Sequence, residues 1–492
     1  MKPFQGFGRC APVTLALLTS VACSEDAKEE GFLDAARIDA RVQDAIVSEG
    51  DTGGGGAGGG GGPTEIHTRL SMLKQVKPDD GSSDTLDLVI YDLDDDREAN
   101  LTQSANGEVD CTTRCAINRQ MTWIAWYQRG AASGNELWVA PIDTVHYEVK
   151  IAEKRKIADT VQQFEFTNDG TRDLVVFMQG EALGPEGQFD VRVEPVAGYD
   201  AAACEAGGDL DDLSACPQYA GAVNVNGGFR VTPFGALIIL LRTDLSSMTV
   251  SFFNVANGAS QALKTFGTMD GTGSQFDARL PVALSPDATY LAVFTKDEFL
   301  WKMFNLKAVP NPPEPVRLEL WESEGDRAGD CQRPMPFLFN VVQFDPRFDE
   351  GGEHIYFMAK GDCSQQNSPA SNRDDYDILR VDKSLDPTTV VPVLKNSRAN
   401  GWYNHQLTDF DLSKDGKRLV FTAPRPFDNQ SASVWMIDTD TSKPFPEYVC
   451  GKDAEPRDGD DGNTRCEFLF EERAGARVVY KAARFHEVEV PR

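Results

Sequence analysis

Histidine is scarce in this 492-residue chain: His67, His146, His354, His405 and His486 are all there are. None stands in an HExxH arrangement and no GxSxG nucleophile elbow occurs, so neither zinc-peptidase nor α/β-hydrolase chemistry has its residues. No CxxC pair is present, which removes the closely spaced ligands of a structural zinc site. Basic residues are outnumbered, 48 against 77 acidic ones, for a formal charge of −29. A general basic surface for nucleic acid or an anionic membrane is thereby excluded. No apolar run reaches transmembrane length; "ALIILL" (Ala236 to Leu241) suits a buried strand. Long helical periodicity is missing too.

What is present begins with Lys2 and Arg9 ahead of "APVTLALLTSVA" (Ala11 to Ala22), a run whose length suits a signal-peptide core. It stops at Cys23. Small residues leading into a cysteine resemble a bacterial lipoprotein signal, which implies cleavage before Cys23 and lipidation of its thiol. The family pattern has Leu three positions before the cysteine; Ser20 stands there, with Leu17 and Leu18 slightly further back. The alternative is an ordinary signal peptide with Cys23 merely near the cleavage site. Both readings export the protein. With lipidation the chain is anchored in a bacterial cell envelope, and Ser24 rather than Asp after the cysteine leans towards the outer membrane.

Residues 1–22 are thus read as signal peptide and 23–63 as a tether. The tether is acidic and low in complexity, with Asp-Ala recurring at Asp26, Asp34, Asp39 and Asp44. It ends in "GGGGAGGGGG" (Gly53 to Gly62), which behaves as a flexible coil. Apart from Cys10 and Cys23, the cysteines fall in adjacent pairs: Cys111 and Cys115, Cys204 and Cys216, Cys331 and Cys363, Cys450 and Cys466. In an oxidising compartment this suggests local disulfides pinning loops, although sequence alone does not settle connectivity.

From residue 64 onward, short β-branched and aromatic runs alternate with Gly, Pro, Asn and Asp, the texture of an all-β fold. One pattern recurs: apolar strand, polar turn, then a strand closing on an aromatic or Leu. It is clearest in "LSPDATYLAVF" (Leu284 to Phe294) and "FDLSKDGKRLVFTA" (Phe410 to Ala423). It returns in "FEFTNDGTRDLVVFM" (from Phe164), "FDPRFDEGGEHIYFMA" (from Phe344) and, degenerate, "FRVTPFGALIILL" (from Phe229). "INRQMTWIAWY" (from Ile117) keeps the second strand with its turn signal lost, and "FEERAGARVVYKA" (from Phe470) is the weakest copy. Pro and Asp preset such a turn and Gly permits its reversal; Ala288 replaces that Gly in the copy at Leu284. Trp126, Phe177, Leu240, Phe294, Phe357, Phe421 and Tyr480 mark the copies, at steps of 51 to 64 residues. That is a propeller blade enlarged by loop insertions.

The Ser-Pro-Asp and Ser-Lys-Asp-Gly turns resemble the TolB-like, or PD40, β-propeller family, over roughly Leu86 to Arg492. The resemblance implies four-stranded antiparallel blades with long loop insertions across residues 64–492. "LDLVIYDLD" (Leu86 to Asp94) looks like a third strand with no hairpin before it, and the copy at Tyr480 has little chain after it. Joining the two completes a seventh blade; six is the alternative, should Tyr480 belong to the sixth blade's outer strand.

Few residues offer chemistry. Asp92, Asp94, Asp96 and Glu98 alternate, as at the start of a calcium loop, but Arg97 and Gln103 break the EF-hand pattern. On one strand these carboxylates would share a face; a solvated strand end is the plainer reading. "RDGDDGN" (Arg457 to Asn463) reads as an acidic loop between Cys450 and Cys466. His354 fits a satisfied strand residue, and His405, among aromatics in "GWYNHQ", is the more interesting histidine. With no catalytic, metal or cofactor motif found, the expected function is an anchored, non-catalytic propeller binding a protein or glycan partner on its loop face. The alternatives are an enzyme using carboxylates of the central channel and a purely structural envelope lipoprotein.

Overall fold

In a computed structural model, residues 64–78, 85–95, 97–129, 134–180, 188–205, 216–224, 227–232, 237–243, 247–267, 282–287, 289–295, 300–305, 316–318, 346–360, 376–386, 389, 391–394, 409–425, 428–440, 466–468 and 476–491 are described. The expected signal peptide and tether, Cys23, Ala288, His405 and the loop at 457–463 lie outside them.

The described chain is almost wholly β. It opens with β1 (Thr64–Pro78), β2 (Thr85–Asp92) and β3 (Arg97–Asn100). Next come β4 (Cys115–Ile117), β5 (Trp123–Arg129) and β6 (Asn135–Asp143), the last pairing with both β7 (Glu148–Val149) and β8 (Arg155–Ala158). Four four-stranded meanders follow. The first is β9 (Val161–Asn168), β10 (Asp173–Gln179), β11 (Gln188–Pro195) and β12 (Gln218–Asn224). The second is β13 (Gly228–Val231), β14 (Leu237–Thr243), β15 (Ser247–Asn254) and β16 (Ser260–Gly267). The third is β17 (Val282–Leu284), β18 (Tyr290–Thr295), β19 (Leu300–Asn305) and β20 (Val316–Leu318). The fourth is β21 (Arg347–Phe348), β22 (His354–Lys360), β23 (Tyr376–Asp382) and β24 (Val391–Leu394).

The last sheet has eight strands. Its first part is a meander of β25 (Asp409–Leu412), β26 (Arg418–Arg425), β27 (Asp428–Asp438) and β28 (Cys466–Phe468). Its second part joins the two ends of the chain, in the order β29 (Ala476–Pro491), β1, β2, β3. The parts meet in one parallel pair, Ala432 with Val479, whereas every other strand pair among the described residues is antiparallel.

Why the second strands read as unbroken apolar runs is now physical. Successive side chains of a strand face opposite ways, and both faces of each sheet are covered by neighbouring sheets. On β5, Ile124 and Trp126 pack against Leu88 and Ile90 of β2, while Ala125 and Tyr127 pack against Phe164, Val175 and Phe177. On β10, Leu174 and Val176 turn the other way, to Phe229, Ile238 and Phe253. Leu237, Ile239 and Leu241 continue the ring towards Val282, Leu291, Ile355 and Phe357. The cluster of Val420, Val434, Leu70, Met72 and Phe485 joins the β25–β28 meander to the closure sheet. Between β21 and β25 the link is Arg347, paired with Asp411 (3.1 Å) and lying over the Phe410 ring, and the other sheets pack core to core round to the first. The chain is a β-propeller, the all-β architecture expected.

The turn between the first two strands is one device repeated. Ser413 donates its backbone N–H to the Arg418 carbonyl (2.9 Å), and its hydroxyl accepts the Arg418 N–H (2.9 Å) while donating to Asp415 (2.6 Å). Ser285 repeats this with Tyr290 and Asp287 (2.8 and 2.6 Å). Asp349 accepts the His354 N–H at 3.3 Å in the same place, and Asn118 that of Trp123 at 2.8 Å. The turn signal at Ile117 was therefore present, carried by an Asn amide in place of Ser. Three residues after the cap the chain takes a left-handed φ, at Gly416 (67°), Gly352 (67°) and, with a side chain, Met121 (58°). Fixed by this cap, the register sets Val293, not Phe294, opposite Val282.

The closure differs in two ways from expectation. A strand does precede Leu86: β1 pairs with β2 from Arg69–Asp92 to Val76–Thr85. Tyr480 lies on the strand heading that sheet, where it pairs with Lys74. β1 escapes pattern reading because the sheet is covered on both sides, so Arg69, Ser71 and Lys74 are buried alongside Leu70 and Met72.

Candidate functional site

The first strand of every meander has a partner on one side only, so its other edge offers main-chain groups without a ladder. Neighbouring sheets answer them with side chains. On β9, Gln163 donates to the Phe229 carbonyl of β13 (2.8 Å), and Glu165 accepts the Val231 N–H (3.3 Å). On β25, Asp411 accepts the Phe485 N–H of β29 (2.9 Å). His486 returns the link to the beginning: its Nδ1 lies 3.0 Å from the Arg119 carbonyl, in the turn between β4 and β5.

Glu165, Arg230, Arg347 and Asp411 occupy one repeat position, which is Ala116 on β4 and Ala283 on β17. The charges of this row pair between sheets, Glu165 with Arg114, just before β4 (3.8 Å), and Arg347 with Asp411 (3.1 Å). Glu165 and Asp411 are each occupied by a guanidinium and a main-chain N–H; Asp409, Glu487 and Glu489 also stand on inner strands, and of these only the backbone is described.

His486 is fully enclosed. A carbonyl at Nδ1 makes that nitrogen the donor, so Nε2 accepts from the Ser71 hydroxyl of β1 (2.7 Å). Burial pushes its pKa down to about 4, outweighing the Arg119 carbonyl and Asp411, which favour the charged form.

A second polar cluster sits where β2 ends. Asp92 Oδ2 accepts from Arg69 Nε (2.8 Å), the Tyr147 hydroxyl (2.7 Å) and His67 Nδ1 (3.3 Å). Its Oδ1 takes the N–H groups of Asp94 and Asp95 (3.1 and 3.2 Å). Burial alone would raise this carboxyl; the hydrogen bonds from Arg69, Tyr147 and His67 overcome that and hold it down at about 2. The Tyr147 ring lies between two guanidinium groups, Arg69 at 4.8 Å and Arg97 at 4.9 Å. Burial, and then the Asp92 charge, push its phenol upward.

Ligand atoms of His67, Asp92 and Asp94 lie within 4.8 Å of one another. They do not fit a cation: five donors already occupy Asp92, the Arg69 charge touches it, and Asp94 accepts the Thr68 N–H at 2.6 Å. Nor do the acidic residues share a strand face. Asp92 ends β2, Asp94 lies in the turn, and Glu98 sits on β3, where it takes Lys74 at 2.5 Å; Asp96 is outside the described residues.

The remaining sequence candidates fall as follows. Disulfides join Cys111 to Cys115 and Cys204 to Cys216, with Cα separations of 5.0 and 5.6 Å. Cys331, Cys363 and Cys450 lie outside the described residues, and Cys466 is described as backbone of β28 only. His354 is held by Asp349 (2.8 Å) and Asp382 (3.5 Å), a satisfied strand residue. His486, which joins strands 415 residues apart, carried no signal in its own neighbourhood.

No family model and no curated protein matches the sequence. Among solved structures, TolB from Acinetobacter baumannii is similar at 10% identity, over 83% of this chain and 81% of that one, with a TM-score of 0.34. The β-propeller domain of the Trilobed protease from Pyrococcus furiosus is similar at 10% identity, over 77% and 94%, with a TM-score of 0.41. Acylaminoacyl peptidase from Pyrococcus horikoshii is similar at 11% identity, over 75% of this chain and 49% of that one, with a TM-score of 0.40. The propeller assignment rests on the strand order and the ring of inter-sheet contacts.

Proposed function

We propose that this chain is an envelope-anchored, seven-bladed propeller that binds a protein or glycan partner on its loop face and does not catalyse a reaction. The observation that carries the reading is how the inner-strand polar groups are used. Glu165, Asp411 and His486 are spent on main-chain groups of the adjoining sheet, so they hold the ring shut instead of facing a substrate. In this reading the seventh blade is β29–β1–β2–β3 and the lipid on Cys23 supplies the membrane attachment. The composition supports it, since an acidic, polyglycine-bearing segment between Cys23 and residue 64 would let the domain sample its surroundings.

The test is retention of a defined protein or glycan from envelope extracts by the mature chain, set beside turnover on polysaccharide and peptide panels. Turnover lost in Glu165→Gln or Asp411→Asn, with folding intact, favours the enzyme instead. Lipidation has its own check: labelled palmitate enters the wild type and not Cys23→Ala, and equal labelling of both ends that part of the reading.

A further inference from the structure

His486 does more than satisfy its own ring nitrogens. It sits where the sheet assembled from both chain ends meets the β4–β5 turn, bonded to Ser71 within its sheet and to Arg119 across the boundary. The charges around it are unequal. Arg119 comes from the β4–β5 turn, Arg484 from its own strand, and Arg69 of β1 stands directly opposite in the ladder, itself bonded to Asp92 of β2. Against these stands Asp411 of β25, already occupied by Arg347 and the Phe485 N–H. An imidazolium here would add a buried cation beside the half-buried guanidinium groups of Arg119 and Arg484. A proton on Nε2 would also oblige the Ser71 hydroxyl to turn from donor to acceptor.

We propose that the closure sheet is an acid-released latch: protonation of His486 undocks the β29–β1–β2–β3 sheet from the β4–β5 turn while the sheets built from one stretch of chain stay folded. The sign follows from linkage. A solvated histidine titrates near ~6.5, whereas the docked one is held down at about 4 by burial. As pH falls between these values the undocked form takes up the proton first, so acid favours opening. By pH ~4 the opening equilibrium rises about a hundredfold over its neutral value.

The experiment is hydrogen–deuterium exchange of the full chain across pH ~7 to ~4, corrected for intrinsic rates. Protection in 64–78, 115–123 and 476–491 is expected to fall about a hundredfold, ahead of 173–179 and 237–243. His486→Gln should abolish that step. Uniform loss across all sheets, or an unchanged step in His486→Gln, overturns the latch. Should that variant fail to fold, exchange at the imidazole Cε1 of the wild type decides: a midpoint near ~4 upholds the latch, and one near the solvated value of ~6.5 overturns it.

Discussion

The β25–β26 hairpin and the closure sheet solve the same problem, joining one strand to the next, by opposite means. In the hairpin, Ser413 and Arg418 are five residues apart, the bonds are local, and Asp415 sits inside the turn it stabilises. In the closure sheet, Ser71 meets His486 across 415 residues, and a buried charged pair, Arg69 with Asp92, takes the neutral Tyr147 hydroxyl from the next sheet. Bringing distant segments together costs more chain entropy than closing a short turn. The local hairpins can form early and in parallel, whereas the closure sheet must wait for both ends. Between β1 and β29 no turn sets the register, and there Ser71 and His486 pair. A buried ion pair is weak evidence for stability but can fix one arrangement over others; Asp92–Arg69 occupies a rung of the β1–β2 ladder, 23 residues apart.

Substitutions can break this contrast at either end. Asp92→Ala leaves Arg69 buried and uncompensated, with its Nη1 already lacking a partner. About 3–5 kcal/mol of stability should be lost, read as a lower urea midpoint at neutral pH. Tyr147→Phe keeps the ring between its two guanidinium groups and removes one hydrogen bond to a charged acceptor. A loss of roughly 2 kcal/mol is expected, and a null result would show that the inter-sheet bond to Asp92 contributes little. Ser413→Ala takes the cap from one hairpin while its main-chain pair with Arg418 remains. The loss should be about 1 kcal/mol, measured in the same unfolding series. If Ser413→Ala proved costlier than Asp92→Ala, the division of labour drawn here would be reversed.

The same contrast explains what could be read in advance. The copies at Leu284 and Phe410 were legible because cap, turn and both strands lie within one short window of sequence. Asn118 was passed over because an amide oxygen can do the work of a serine hydroxyl without resembling it. β1 was missed because a strand covered on both faces at a closure carries Arg69, Ser71 and Lys74 inward, which erases the polar–apolar alternation. Asp92 reads most plainly as a solvated strand end, yet it is buried under Arg69, Tyr147 and His67, and the turn after β2 divides it from Asp94 and Glu98. The partner of His486 is set by tertiary closure alone, so nothing within its own stretch of chain could announce it.

The β1–β29 ladder has a mechanical side as well. It runs antiparallel from Thr64–Pro491 to Pro78–Ala476, so residues 64 and 491 lie side by side at one end of it. A force that parts those two residues meets the ladder one hydrogen bond at a time, like a zip, whereas a force that slides β1 along β29 loads them together.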